Sequence, residues 1–95
     1  MRILVIEDEP SLLKIISKRL KEEGYSVDIA KNGREGDDFI NSAEYDCMII
    51  DIMLPMIDGL TLLRKLRAKK ITTPVLLLAA RDSIDDKVIG LDSGA

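Results

Sequence analysis

The sequence predicts an α/β fold in which a parallel β-sheet is covered by helices on both faces. Three observations predict it. Aliphatic runs at residues 3–6, 47–50 and 75–78 have the length of buried strands. These runs are apolar at every position instead of alternating, as strands buried on both faces are. Longer stretches with apolar residues at helical spacing separate them, which is the pattern of βα units.

The elements follow in order. Residues 3–6, Ile-Leu-Val-Ile, form the first strand. A helix opens at Pro10 or Ser11, with Leu12, Leu13, Ile15, Ile16 and Leu20 on one face and Lys14, Lys18, Lys21 and Glu22 mostly off it. Gly24 is its C-terminal stop. Val27 and Ile29 alternate with polar neighbours, as in a half-exposed second strand. Asn32-Gly33 is a turn signal, and a weaker helix over 34–41 turns Phe39 and Ile40 inward. Its Gly36-Asp37-Asp38 stretch reads as a poorly formed helix, because glycine costs about 1 kcal/mol relative to alanine there. The third strand, 47–50, ends at Asp51. A loop with Pro55, Asp58 and Gly59 leads to a helix over 60–69 striped by Leu62, Leu63 and Leu66. Thr72-Thr73-Pro74 is a break before the fourth strand at 75–78. Residues 82–92 read as a last, polar helix with Ile84, Val88, Ile89 and Leu91 apolar. The order is β-α-β-α-β-α-β-α, and right-handed crossovers place helices on two sides of the sheet.

Composition narrows the function. Ninety-five residues make one domain, and 46% hydrophobic with 33% charged residues describes a globular chain. A net charge of −3 without a basic run argues against nucleic-acid binding by this chain. The single cysteine, Cys47, excludes an internal disulfide and fits a reducing compartment; its place at the start of an apolar run favours packing over reactivity. The N-terminal apolar run is too short for a signal peptide or a membrane span, so a cytoplasmic protein with no membrane partner is expected. With no histidine, general-base histidine chemistry and histidine-ligated metals are excluded.

Acidic residues mark the candidate site. In parallel α/β sheets, ligands bind beyond the carboxyl ends of the strands where strand order reverses. Glu7 and Asp8 follow the first strand and Asp51 closes the third. If those strands are neighbours, the three acids crowd one place and repel unless a cation joins them. A hard divalent ion answers that need, and with two or three carboxylates and retained waters magnesium fits best. The plainer reading is that acids after strands cap the next helix or favour its N-terminal end; Glu9 takes that reading.

The runs Ile3-Leu4-Val5-Ile6-Glu7-Asp8-Glu9-Pro10, Asp46-Cys47-Met48-Ile49-Ile50-Asp51-Ile52-Met53-Leu54-Pro55-Met56-Ile57-Asp58-Gly59, Pro74-Val75-Leu76-Leu77-Leu78, Ala80-Arg81-Asp82 and Gly90-Leu91-Asp92-Ser93-Gly94-Ala95 carry a family resemblance. The chain resembles the receiver domain of two-component response regulators, in the subgroup often joined to a winged-helix DNA-binding domain. The resemblance implies a flavodoxin-like, doubly wound parallel sheet of order 2-1-3-4-5, an order that periodicity does not supply. It implies that Asp51 accepts a phosphoryl group from a phosphohistidine on a sensor histidine kinase. It implies that Glu7, Asp8, Asp51 and the backbone carbonyl of Met53 hold magnesium, with Glu7 acting mainly through water. The backbone N–H of Ala80 would then contact the phosphate.

The sequence departs from the family in two places. Ala79 stands where the family has a threonine or serine whose hydroxyl bonds the phosphoryl group. The sequence also stops at Ala95, before the family's fifth strand with its phosphate-binding lysine, and before its fifth helix. Lys87 is no substitute for that lysine. The expectation is therefore a receiver domain over residues 1–95, cut short to about four strands and four helices. Its fourth strand would be an open edge that favours self-association, and DNA would be reached only through a C-terminal domain absent from this chain. The leading function is a phospho-acceptor switch and not an enzyme. The alternative is a phosphorylation-impaired interaction or assembly module. A magnesium-dependent phosphohydrolase is disfavoured because Met53 sits where a second aspartate is wanted.

Overall fold

The computed structural model describes residues 1–79 and 88–92. Four strands, β1 (Arg2–Ile6), β2 (Ser26–Ala30), β3 (Cys47–Asp51) and β4 (Val75–Leu78), lie parallel in the order β2-β1-β3-β4. Three helices connect them: α1 (Pro10–Glu22), α2 (Gly33–Ser42) and α3 (Gly59–Ala68). This is the flavodoxin-like arrangement.

Side-chain alternation along the strands divides the core into two layers. Leu4, Ile6, Met48 and Ile50 pack with Ile40 of α2 and with Leu62 and Leu66 of α3. Ile3, Val5, Ile49 and Leu78 face the other way, onto Leu13, Ile16 and Leu20 of α1. Of the five residues expected on the buried face of α1, Ile15 is the exception, 60% exposed. Cys47 is half-buried, and burial pushes its thiol pKa up, in keeping with a packing role.

Each helix start is fixed by a cap. Glu9 caps α1, its carboxylate accepting from the N–H groups of Ser11 (3.2 Å) and Leu12 (2.8 Å). Asn32 caps α2 by accepting from Glu35 N–H at 2.8 Å, while the Glu35 carboxylate reaches back to Lys31 N–H at 3.0 Å. Asp58 caps α3 through Thr61 N–H at 2.9 Å.

Two expectations about the helices are corrected. The stretch Gly36-Asp37-Asp38 does not weaken α2, which is regular over ten residues. A Cβ at position 36 would lie 2.5 Å from Ile6 Cδ1, so the missing side chain is what lets α2 lie close on β1. Asp37 faces α3 and pairs with Lys65 at 3.1 Å.

The last helix expected over 82–92 is corrected for its described part: Val88–Asp92 is a strand, β5, antiparallel to β4. Residues 82–87 lie outside the described residues. A bare β4 would present a row of unpaired N–H and C=O groups, and pairing with β5 satisfies one side of that row. Arg67 of α3 secures the far end, donating to the Asp92 carboxylate and, at 2.8 Å, to Ile71 O. The open β4 edge on which self-association was expected is thus filled by the chain itself.

Candidate metal centre

β1 and β3 are neighbours, with Ile6 opposite Ile50, so the residues just beyond them meet at the carboxyl end of the sheet. There Glu7, Asp8 and Asp51 each place a carboxylate oxygen within 4.8 Å of the others. Glu7 is fixed by its backbone N–H, which extends the β1–β2 ladder to Ala30 O at 3.0 Å. Asp51 is the last residue of β3 and sits opposite Leu78 of β4.

Glu7 and Asp51 are 1% and 0% exposed, so water cannot offset their charge. One oxygen of each is used. Glu7 Oε2 accepts from Glu9 N–H at 2.9 Å, and Asp51 Oδ1 accepts from Met53 N–H at 3.0 Å. The other two, Glu7 Oε1 and Asp51 Oδ2, are buried without a hydrogen-bond partner. At these separations each like-charge pair repels by about 3–4 kcal/mol at an effective dielectric near 20. Burial first, and then the charge of Asp51, push the Glu7 carboxyl up to about 7, against the opposing hydrogen bond from Glu9 N–H.

This donor set is all oxygen, anionic and incompletely satisfied, which fits a hard divalent cation and no softer metal. The buried orphan oxygens of Glu7 and Asp51 are the observation that carries the fit.

The remaining expected site residues divide. Met53 lies on the loop just past Asp51 and is 56% exposed. Ala80 lies outside the described residues. Ala79 directly follows β4, one residue beyond the Asp51–Leu78 pair, and brings no hydroxyl to the site. Asp58, expected only as a loop residue, is the N-cap of α3, a role that the Asp58-Gly59-Leu60-Thr61 order signals locally.

Comparisons with known proteins agree with this geometry. The model of the response regulator receiver domain matches residues 3–95. The transcriptional regulatory protein TcrA of Mycobacterium tuberculosis is 42% identical over 95 residues, all of this chain and 38% of that protein. The uncharacterized transcriptional regulatory protein YkoG of Bacillus subtilis is 50% identical over 93 residues, 98% of this chain and 41% of that protein. The chain thus spans about two fifths of the length of these curated relatives. Among solved structures, response regulator TrrA of Thermotoga maritima, in complex with Mg2+ and BeF, superposes with a TM-score of 0.79 at 41% identity, covering 85% of this chain and 70% of that one.

Proposed function

The chain belongs to the response regulator receiver domain family, and from that premise we propose that it accepts a phosphoryl group on Asp51 from a phosphohistidine of a sensor histidine kinase. The orphaned, fully buried Asp51 Oδ2, in a carboxylate cluster with Glu7 and Asp8, is the observation that supports this most strongly. Because Oδ1 is held by Met53 N–H, Oδ2 is the oxygen left to attack phosphorus. Its bond to phosphorus forms as the donor's P–N bond breaks, and that electron pair stays on the leaving imidazole.

Glu7, Asp8, Asp51 and the Met53 carbonyl would hold magnesium. When bound, it neutralises charge on the acids and on the transferring group. The chain's own part is to keep the acceptor oxygen rigid at a strand end and away from bulk water. The protein acts as a switch in the cytoplasm and not as a turnover catalyst, and a DNA-binding output would lie outside this chain. The alternative, a phosphorylation-impaired interaction or assembly module, drew on Ala79 and the missing fifth parallel strand; the buried acid cluster favours the phospho-acceptor reading over it.

The test is incubation with a small acyl phosphate, with and without magnesium, read by intact mass. One phosphoryl group should appear on the wild-type chain and none on Asp51→Asn. Equal labelling of both would reject the proposal. Ala79→Thr restores a hydroxyl beside the acceptor. It should enlarge the phosphorylation-induced change in amide shifts of the β4 end, and an equal change in both chains would show that Ala79 does not limit the response.

A further inference from the structure

The loop from β3 to α3 carries Met53, and its shape is imposed partly from outside. Within it, Ile57 N–H donates to Pro55 O at 2.9 Å across the single residue Met56, whose φ is +71°. That is a γ-turn of the rarer, strained hand, at a residue with a Cβ. Such a turn persists only where its surroundings hold it.

The surroundings are the first residue of α2. Gly33 N–H donates to the same Pro55 O at 3.2 Å. A Cβ at position 33 would overlap the Ile57 carbonyl oxygen and lie 2.6 Å from Ile57 Cβ and 2.7 Å from Ile57 C. Two of those three atoms are backbone, so no side-chain rotation relieves the clash. Gly33 is itself buried, and Ile57 packs on the core layer beneath α2 and α3. Pro55 O therefore receives two N–H groups, one from its own loop and one from a helix that begins 22 residues earlier.

We propose that Gly33 is a positioning residue for the metal site: the start of α2 clamps the strained turn at Met56 and thereby sets the loop that presents Met53 beside Asp51. This rests on the reading of the site given above. The connection runs through short links: Gly33 to Pro55 O, Pro55 through Leu54 to Met53, and Met53 N–H to Asp51 Oδ1 at 3.0 Å. Asn32 supports the clamp from behind by capping α2.

The test uses the intact chain and its Gly33→Ala and Asn32→Ala variants. The first readout is amide hydrogen exchange without metal; the second is a magnesium chloride titration followed by the Met53 and Asp51 amide resonances. Tyr45→Phe, which loosens the sheet far from this loop, controls for loss of stability alone. Gly33→Ala should speed exchange at Ile57 and Met53 more than tenfold and weaken magnesium at least tenfold. Tyr45→Phe should leave magnesium affinity within twofold. If Gly33→Ala does not fold, Asn32→Ala should show the same two changes at two- to threefold. Exchange and affinity unchanged in the folded variants would overturn the clamp. A wild-type chain that ignores magnesium would instead overturn the proposed site, and metal-free exchange at Ile57 and Met53 would still decide the clamp.

Discussion

Acidic groups are treated in opposite ways in two regions of the same sheet. Toward the amino-terminal end, Asp28 accepts from Tyr45 OH at 2.7 Å and from Arg2 Nη2 at 2.9 Å, with Arg2 also 5.2 Å from the Tyr45 ring centroid. The Tyr45 hydrogen bond, helped by Arg2, holds the Asp28 carboxyl below its ordinary range, and Asp46 takes Arg2 N–H at 2.7 Å. At the carboxyl end, Glu7 and Asp51 keep orphan oxygens and Glu7 is pushed up. Within one small domain the chain gives the partly exposed Asp28 its partners, while the two buried acids at the other end keep unpartnered oxygens, so that imbalance is a feature of the site. Such an end is poised for a cation that the chain does not itself supply.

Exchanging one acid for a neutral isostere in each region gives the largest contrast. Asp51→Asn should reduce acyl-phosphate labelling to background, whereas Asp28→Asn should keep it within twofold. In metal-free thermal unfolding the order reverses. Asp51→Asn removes repulsion and should raise Tm by several degrees, about 1 kcal/mol. Tyr45→Phe deletes a hydrogen bond to a charged acceptor and should lower stability by about 1 kcal/mol. A fall in Tm for Asp51→Asn would mean the carboxyl-end acids are not in conflict.

Acidity separates the regions next. The Glu7 carboxyl holds its proton up to about pH 7 when folded, against an ordinary value of 4.5. The folded metal-free chain therefore binds more protons than the unfolded chain between those values. The Glu7 contribution to stability is fullest below 4.5 and is lost as pH rises through about 7. Asp28 has the opposite sign: its contribution is present above its ordinary 3.8 and is lost as pH falls through the lower folded value. Denaturant titrations from pH 4 to 8 should show the Glu7 slope, and Glu7→Gln should flatten it. The smallest effect concerns neither end. Lys65→Ala breaks a partly exposed pair with Asp37 and should change stability by no more than about 0.5 kcal/mol in chemical denaturation.

Much of this arrangement is written locally in the sequence. β1, β3 and β4 are unbroken aliphatic runs, and the three acids follow directly from where two of them end. The caps at Glu9, Asn32 and Asp58 are local as well. What escaped is tertiary. Val88, Ile89 and Leu91 suit either a helical stripe or a strand, and only the unpaired side of β4 decides for the strand. Gly36 reads as a helix weakness until Ile6 is seen beneath it. The meeting of Gly33 with Ile57 joins residues 24 apart, and no spacing rule reports it.

The central claim is that the carboxyl-end acids form an unbalanced cation site serving Asp51. Its most direct test is the Tm of the wild-type chain against magnesium concentration at pH 8 and at pH 5.5. At pH 8, where Glu7 is ionised, magnesium at about a hundredfold excess over its Kd should raise Tm by roughly 10 °C or more. The rise should shrink sharply at pH 5.5 and in Asp51→Asn. A Tm indifferent to magnesium at pH 8, or a rise equal at both pH values and in the variant, would contradict it.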